Sequence, residues 1–153
     1  MKKSRSRNVV EQGARARRII LTIAAVLALA GLAETTYLTA SHFAGAQVVC
    51  GNAGNCSQVL GSIYSSVHGI PLAALGALAY FVVFSSATLA ASGYRKAGLA
   101  LALVVSAMFV TTLWLLYLQA FVLHTFCEYC LASAAIIFIL AGLVIAMPPP
   151  QEN

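Results

Sequence analysis

Four cysteines are the residues of this sequence whose type and spacing can support chemistry. Cys50 and Cys56 are separated by five residues in the segment VVCGNAGNCSQVL, and Cys127 and Cys130 form a Cys-x-x-Cys motif in HTFCEYCLAS. Four cysteines allow more than one set of disulfides. Proximity in the sequence favours Cys50–Cys56 and Cys127–Cys130, but it does not exclude the other pairings.

The Cys127–Cys130 motif favours redox chemistry over a structural role. A disulfide across two intervening residues closes almost no loop, so it would add little stability. At the N-terminus of a helix, the first cysteine faces unpaired N–H groups and the positive end of the helix dipole, which stabilise a thiolate. The second cysteine lies three residues further on the same face, where it can resolve a mixed disulfide.

Two other interpretations of the cysteines are structural. A Cys50–Cys56 bridge could rigidify a loop rich in Gly and Asn. A zinc site of four thiolates also uses Cys-x2-Cys, but it often pairs two such motifs, and here the other pair has five intervening residues. We therefore predict no metal site.

The elements that must position these cysteines are membrane-spanning helices. The sequence is 61% hydrophobic and 8% charged, whereas a soluble domain is about 25% charged. This composition excludes an ordinary soluble enzyme and a disordered chain. A spanning helix needs about 20 mostly apolar residues. Four segments qualify, namely Ile19–Ser41, Ile70–Ala91, Ala97–Leu123 and Phe126–Met147. The predicted fold is an all-α membrane protein, a four-helix transmembrane bundle with an extracytoplasmic loop or short-helix cap.

The net charge of +5 indicates orientation, because the basic residues are unevenly distributed. Seven of the nine Lys and Arg residues lie within residues 1–18, and the other two are Arg95 and Lys96. Lys and Arg accumulate in short cytoplasmic segments. We therefore expect a basic cytoplasmic tail over 1–18, a four-helix domain over 19–147 with an outer loop at 43–69, and a cytoplasmic tail at 148–153. The distribution does not favour nucleic-acid binding.

This topology places all four cysteines on the oxidising outer side. Cys127 and Cys130 would then lie at the depth of a lipid-soluble electron carrier. Cys50 and Cys56 would lie in a loop that a soluble protein can reach. Thiol–disulfide exchange could pass electrons from one pair to the other.

An ordered set of motifs extends from about Tyr37 to Ser133, namely Tyr37-Leu38-Thr39, Cys50-x5-Cys56-Ser57, Ser62-x-Tyr64, Gly69-Ile70-Pro71-x4-Gly76 and Cys127-x2-Cys130. In these motifs the sequence resembles the vitamin K epoxide reductase family, in its bacterial branch. The resemblance implies a quinone-dependent thiol–disulfide oxidoreductase in a bacterial inner or plasma membrane.

The resemblance also implies a role for each site residue. Cys127 and Cys130 would be the quinone-coupled pair, with Cys130 facing the quinone, and Cys50 and Cys56 would be the shuttle pair. Ser62 matches a family Ser/Thr that supports the quinone site or the redox chemistry. The quinone would be of the menaquinone, ubiquinone or phylloquinone type.

The implied partner is an extracytoplasmic thioredoxin-like protein. Many bacterial relatives carry such a domain fused to the membrane domain. This sequence is expected to stand alone, so the partner would act in trans beside membrane lipid and quinone. Vertebrate members carry a Tyr four residues after the second motif cysteine, where this sequence has Ala134, which argues against epoxide reduction.

Two alternatives use the same features. An unrelated bacterial quinone-coupled disulfide oxidase also has four helices and two cysteine pairs, but its Cys-x-x-Cys motif comes first in the chain. A tetraspan structural or interaction protein could hold two inert disulfides.

Outside the cysteines, Glu34 is an intramembrane carboxyl, and such a group suggests a functional role by default. The competing interpretation is a protonated residue that only packs. His68 and His124 could move protons near the outer surface.

Overall fold

The computed structural model describes residues 2–45, 66–67 and 69–148. Its long elements are four helices, which we label α1 (Lys2–Phe43), α2 (Leu72–Ala91), α3 (Arg95–Tyr117) and α4 (Glu128–Ile145). A π-helical segment, Leu118–Leu123, continues α3. Two short strands, β1 (Ser66–Val67) and β2 (Ile70–Pro71), pair antiparallel just before α2.

The predicted four-helix transmembrane bundle is confirmed. The four helices are long and apolar enough to cross a membrane over Glu11–Phe43, Leu72–Ala91, Arg95–Val122 and Glu128–Ile145. At most 33% of the apolar window of any span is buried within the protein. Large apolar side chains such as Val26, Leu78 and Leu103 are exposed around the bundle. Lipid must therefore cover the outer surface.

The first helix extends well beyond the segment predicted from hydropathy. It begins at Lys2 and has 42 residues, which gives a length of about 63 Å at 1.5 Å per residue. The basic segment that precedes Ile19 contains five Arg, two Lys and two Ala, all good helix formers. The predicted boundary between a tail at 1–18 and the first helix is therefore not a break in secondary structure.

The turns between helices follow their local sequence. The turn after α2 is tight, because Gly93 has a φ of 100° and its N–H donates to the Ala90 carbonyl. Such a φ favours glycine. Pro71 lies at the N-cap of α2, where its missing N–H is not needed. That helix starts two residues later than predicted because Ile70 and Pro71 form β2.

Small residues let α1 and α2 pack closely in antiparallel orientation. The α-carbon of Gly31 lies against the Tyr80 ring, and that of Gly76 lies near the Thr35 side chain. Small side chains at helix contacts are the usual means of close packing in membranes. Helix α4 packs on α1 and α3. The shared core consists of Leu21, Ala24, Ala25, Ala28, Tyr80, Val83, Ala87, Ala90, Leu101, Val105, Ile137 and Leu140.

The bundle therefore has two distinct ends. At the turn end, where the α2–α3 turn lies, the Arg17 guanidinium donates to the Ala90 carbonyl at 3.4 Å. At the loop end, α1 and the π-helical segment finish while α2 and α4 begin. Most of the predicted cap at 43–69 lies outside the described residues, so the cap stays a prediction.

Candidate functional site

Cys127 and Cys130 lie at the loop end, where α4 begins. Cys127 is the N-cap residue, with extended backbone (φ −105°, ψ 122°), and Cys130 lies in the first helical turn. Both are free thiols. The Cys127 side chain is fully buried, and that of Cys130 is partly exposed. The predicted placement of the motif at a helix N-terminus is confirmed.

The connection from α3 to α4 is short and sharply bent. After the π-helical segment, His124 adopts the left-handed region with a φ of 50°, a conformation that His adopts more readily than most side chains. The N–H groups of His124 and Thr125 both donate to the Gln119 carbonyl. The Thr125 hydroxyl donates to the Leu123 carbonyl at 3.1 Å. These hydrogen bonds satisfy the end of the helix and direct the chain back toward α4.

Gln119 connects this bend directly to the first cysteine. Its side chain is buried, with 3% exposure. The amide Oε1 of Gln119 accepts a hydrogen bond from the Cys127 N–H at 3.1 Å. Sequence reasoning did not assign Gln119 a role, although an amide in an otherwise apolar span is a signal that a partner is needed. The contact fixes the backbone of Cys127 at the start of α4.

The surroundings of Cys127 favour its thiolate. The pKa of this thiol, which precedes the fourth span, is lowered to about 7. The largest cause is a hydrogen bond from the Cys130 thiol, and the N–H groups of Cys130 and Tyr129 add to it. Burial and the nearby Glu128 carboxylate oppose the shift. These N–H groups lower the pKa because they stabilise the charged form of the side chain.

The second cysteine is followed one turn later by a polar contact to α2. The Tyr80 hydroxyl and the Ser133 hydroxyl lie 2.8 Å apart, and the Tyr80 hydroxyl also lies 3.2 Å from the Ser133 carbonyl. Tyr80 is almost fully buried, with 1% exposure. Ser133 is three residues after Cys130 and so lies on the same face of α4. This contact fixes the rotation of α4, and with it the direction of Cys130.

The described residues include only part of the predicted site. Cys50, Cys56, Ser62 and His68 lie outside the described residues, so their proximity to the Cys-x-x-Cys motif stays a prediction. The described part contains one close cysteine pair, Cys127 with Cys130.

Two further residues from the sequence analysis fall within the described part. His124 is exposed at the bend before α4. Glu34 lies on α1, within electrostatic range of Cys127 and Cys130 at the start of α4.

Comparison with models of known protein families matches residues 22–145 to the vitamin K epoxide reductase family. The match begins within α1 and ends at Ile145, the last residue of α4. It therefore includes most of the first apolar span and the other three, the segment with Cys50 and Cys56, and the Cys-x-x-Cys motif at the start of α4. With this match over most of its length, the chain belongs to the vitamin K epoxide reductase family.

Proposed function

We propose that this protein couples the reduction of a membrane quinone to disulfide formation in extracytoplasmic proteins. Family membership makes it a membrane thiol–disulfide oxidoreductase. The observation that carries the finer proposal is the Cys127–Cys130 dithiol. It lies at the N-terminus of a membrane helix, with Cys127 buried and held by Gln119 and with Cys130 partly exposed.

Electrons would enter through the loop cysteines. A thioredoxin-like dithiol reduces the Cys50–Cys56 disulfide, and one loop thiolate then attacks Cys127 of the Cys127–Cys130 disulfide. This attack forms a mixed disulfide and releases Cys130 as a thiolate. The second loop thiolate displaces Cys127, so the loop disulfide forms again and the membrane pair is reduced.

Quinone reduction completes the cycle. The two thiols of Cys127 and Cys130 lose two electrons and two protons and become a disulfide. The quinone gains both and leaves as quinol into the membrane. The lowered pKa of Cys127 favours its thiolate, which forms the bond to the Cys130 sulfur as two electrons pass to the quinone.

The positions of charges and aromatic side chains support this assignment. Arg17, Arg95 and Lys96 lie at the turn end, which the positive-inside rule places in the cytoplasm. The loop end then faces the oxidising side. Trp114, Tyr117 and Phe121 form an exposed aromatic column near that end, with successive ring centroids 5.9 and 5.1 Å apart. Such side chains favour the membrane interface, where a quinone head group can approach Cys130.

The direct test is quinone reduction by purified protein in lipid nanodiscs with a dithiol donor. Quinol formation is followed by absorbance for short-chain ubiquinone and menaquinone. Wild-type protein should turn over, while Cys127→Ser and Cys130→Ser should be inactive and still fold, as judged by thermal unfolding. If wild-type protein reduces none of these quinones, the proposal is wrong. If the variants lose stability but the wild type has no activity, the disulfides are structural.

The shuttle role of the loop is tested separately by trapping. Cys56→Ala and Cys50→Ala variants each leave one loop thiol without its partner. A shuttle cysteine should accumulate as a mixed disulfide with a thioredoxin-like protein. Absence of such a complex from both variants, with the membrane pair still active toward small dithiols, would remove the loop from the electron path.

A further inference from the structure

Glu34 is a carboxyl group in the apolar part of α1 with an unmet hydrogen-bonding requirement. Its Oε1 atom is buried and has no hydrogen-bond partner among the residues that the structure describes. A carboxyl group in a membrane span is costly and is kept mainly where it has a task. If Glu34 served only to pack the helices, an apolar side chain or an amide would do equally well. The carboxyl group itself therefore needs a physical reason.

The helix face that carries Glu34 is turned toward the Cys-x-x-Cys motif. Three residues before it, Gly31 lies against the Tyr80 ring. Three residues after it, the Tyr37 ring lies 6.0 Å from the ring of Tyr129, which is located between the two cysteines. Residues three apart share one face of a helix. Glu34 therefore lies between a contact to α2 and a contact to the first turn of α4.

Electrostatic interactions agree with this placement. The Glu34 carboxylate interacts with the Cys127 and Cys130 sulfurs and with the Tyr80 phenol. It is thus a carboxyl group within electrostatic range of both members of the redox pair.

We propose that Glu34 transfers a proton between the Cys130 thiol and the quinone. This inference rests on the proposed function, because it assigns a step within quinone reduction. The Glu34 carboxylate accepts the proton of Cys130 as the thiolate forms. The Cys127 and Cys130 sulfurs then become a disulfide and give two electrons to the quinone. Glu34 passes its proton to one quinone oxygen and returns to the carboxylate. The second proton is exchanged with water at the loop end, so charges and atoms balance.

Other ionisable groups around the pair are less suited to this step. The Tyr80 hydroxyl is engaged with Ser133 at 2.8 Å. A phenol is in general a poor proton acceptor at neutral pH, because its ordinary pKa is about 10. Glu128 and His124 are exposed at the loop end, whereas the Glu34 Oε1 atom is buried. A carboxylate on the inner side is the group whose basicity suits a reversible transfer.

The test separates quinone reduction from the thiol exchange that precedes it. Glu34→Gln keeps the size and polarity of the side chain but cannot carry a proton. Glu34→Asp keeps the carboxyl group on a side chain that is shorter by one methylene group. Glu11→Gln is the matched control, because Glu11 is exposed at the opposite end of the same helix. Each variant is reduced in nanodiscs with excess dithiol and mixed rapidly with short-chain ubiquinone, and a single turnover is recorded from pH 5.5 to 9. Formation of the Cys127–Cys130 dithiol is measured by alkylation and gel shift.

Glu34→Gln should slow the quinone step by about tenfold or more, since positioned acids and bases contribute about 10²–10⁴-fold. Its dithiol should form at the wild-type rate, and the pH dependence of the quinone step should change shape. Glu34→Asp should recover part of the rate, and Glu11→Gln should match the wild type. A quinone step within twofold of wild type in Glu34→Gln overturns the inference while leaving the proposed function intact. If Glu34→Gln fails to fold, an unchanged rate and pH profile in Glu34→Asp overturns it instead. Lack of quinone reduction by the wild type defeats the proposed function itself.

Discussion

Replacing Gln119 by Met tests whether the end of α3 sets the reactivity of Cys127. Methionine fills a similar volume and is tolerated in packed cores, but it cannot accept the hydrogen bond that Gln119 Oε1 receives from the Cys127 N–H at 3.1 Å. The substitution leaves this buried N–H without a partner. Leaving a buried donor unsatisfied costs about 1–3 kcal/mol.

Two measurable consequences follow from this loss. The free energy of unfolding should fall by about 1–3 kcal/mol if the N–H finds no new partner. The first turn of α4 should also lose its fixed position relative to the Cys127 sulfur. The N–H groups of Tyr129 and Cys130 and the Cys130 thiol now lower the pKa of Cys127 to about 7. In Gln119→Met that pKa should rise toward the value of an ordinary thiol, about 8.5.

Both consequences can be measured on purified protein in nanodiscs. Thermal unfolding reports stability, and the pH dependence of alkylation by a small iodoacetamide reports the pKa of Cys127, with Cys50 and Cys56 replaced by Ala. The matched control is Thr111→Val, which removes a hydrogen bond from the exposed Thr111 hydroxyl to the Ala107 carbonyl on the same helix. If Gln119→Met matches this control in both stability and alkylation profile, Gln119 does not position Cys127.

Two further predictions concern the thiol pair and the helix contact behind it. Alkylation of Cys127 in the reduced protein should show a midpoint near pH 7, with the thiol protonated and unreactive at lower pH. Cys130→Ala should raise that midpoint, because it removes the largest cause of the lowered pKa. An unchanged midpoint in Cys130→Ala would contradict this assignment. Gly31→Ala should lower the free energy of unfolding by about 1–3 kcal/mol, because the new methyl group meets the buried Tyr80 ring. Gly142→Ala is its control, since nothing lies within 4 Å of the added carbon, and equal melting temperatures for the two variants would refute the close contact.

The membrane helices could be predicted from sequence because hydropathy and length are local properties. An apolar run of sufficient length must form a helix in lipid, whatever its neighbours are. The helix ends were less predictable. The apolar run begins only at Ile19, but the residues before it also favour a helix, so α1 begins at Lys2. Pairing with β1 delays the start of α2 until after Pro71.

The sequence predicts the site only where the reactive residues are close together in the sequence. Cys127 and Cys130 are three residues apart, so their shared position at a helix start follows from the motif. The contact between Gln119 and Cys127 depends on the π-helical segment and on the left-handed backbone of His124. A π-turn shifts the rotation of every later residue on the helix, and no residue of this segment signals it. The approach of Glu34 depends on how α1 rotates against α4, which is a tertiary property.

The polar side chains of the spans divide into two kinds, and the division points to the site. Threonine and serine hydroxyls such as those of Thr35, Ser85 and Thr88 donate to carbonyls one turn back on their own helix, so they need no other helix. Gln119 and Glu34 do not follow this pattern. Gln119 reaches the backbone of Cys127, while the Glu34 Oε1 atom has no hydrogen-bond partner in the described part of the chain. Stability alone would not retain the Glu34 carboxyl, because burying a polar group without a hydrogen bond is costly. Gln119 and Glu34 both lie around the first turn of α4, on two different helices, and this convergence favours a role in the chemistry of the cysteine pair.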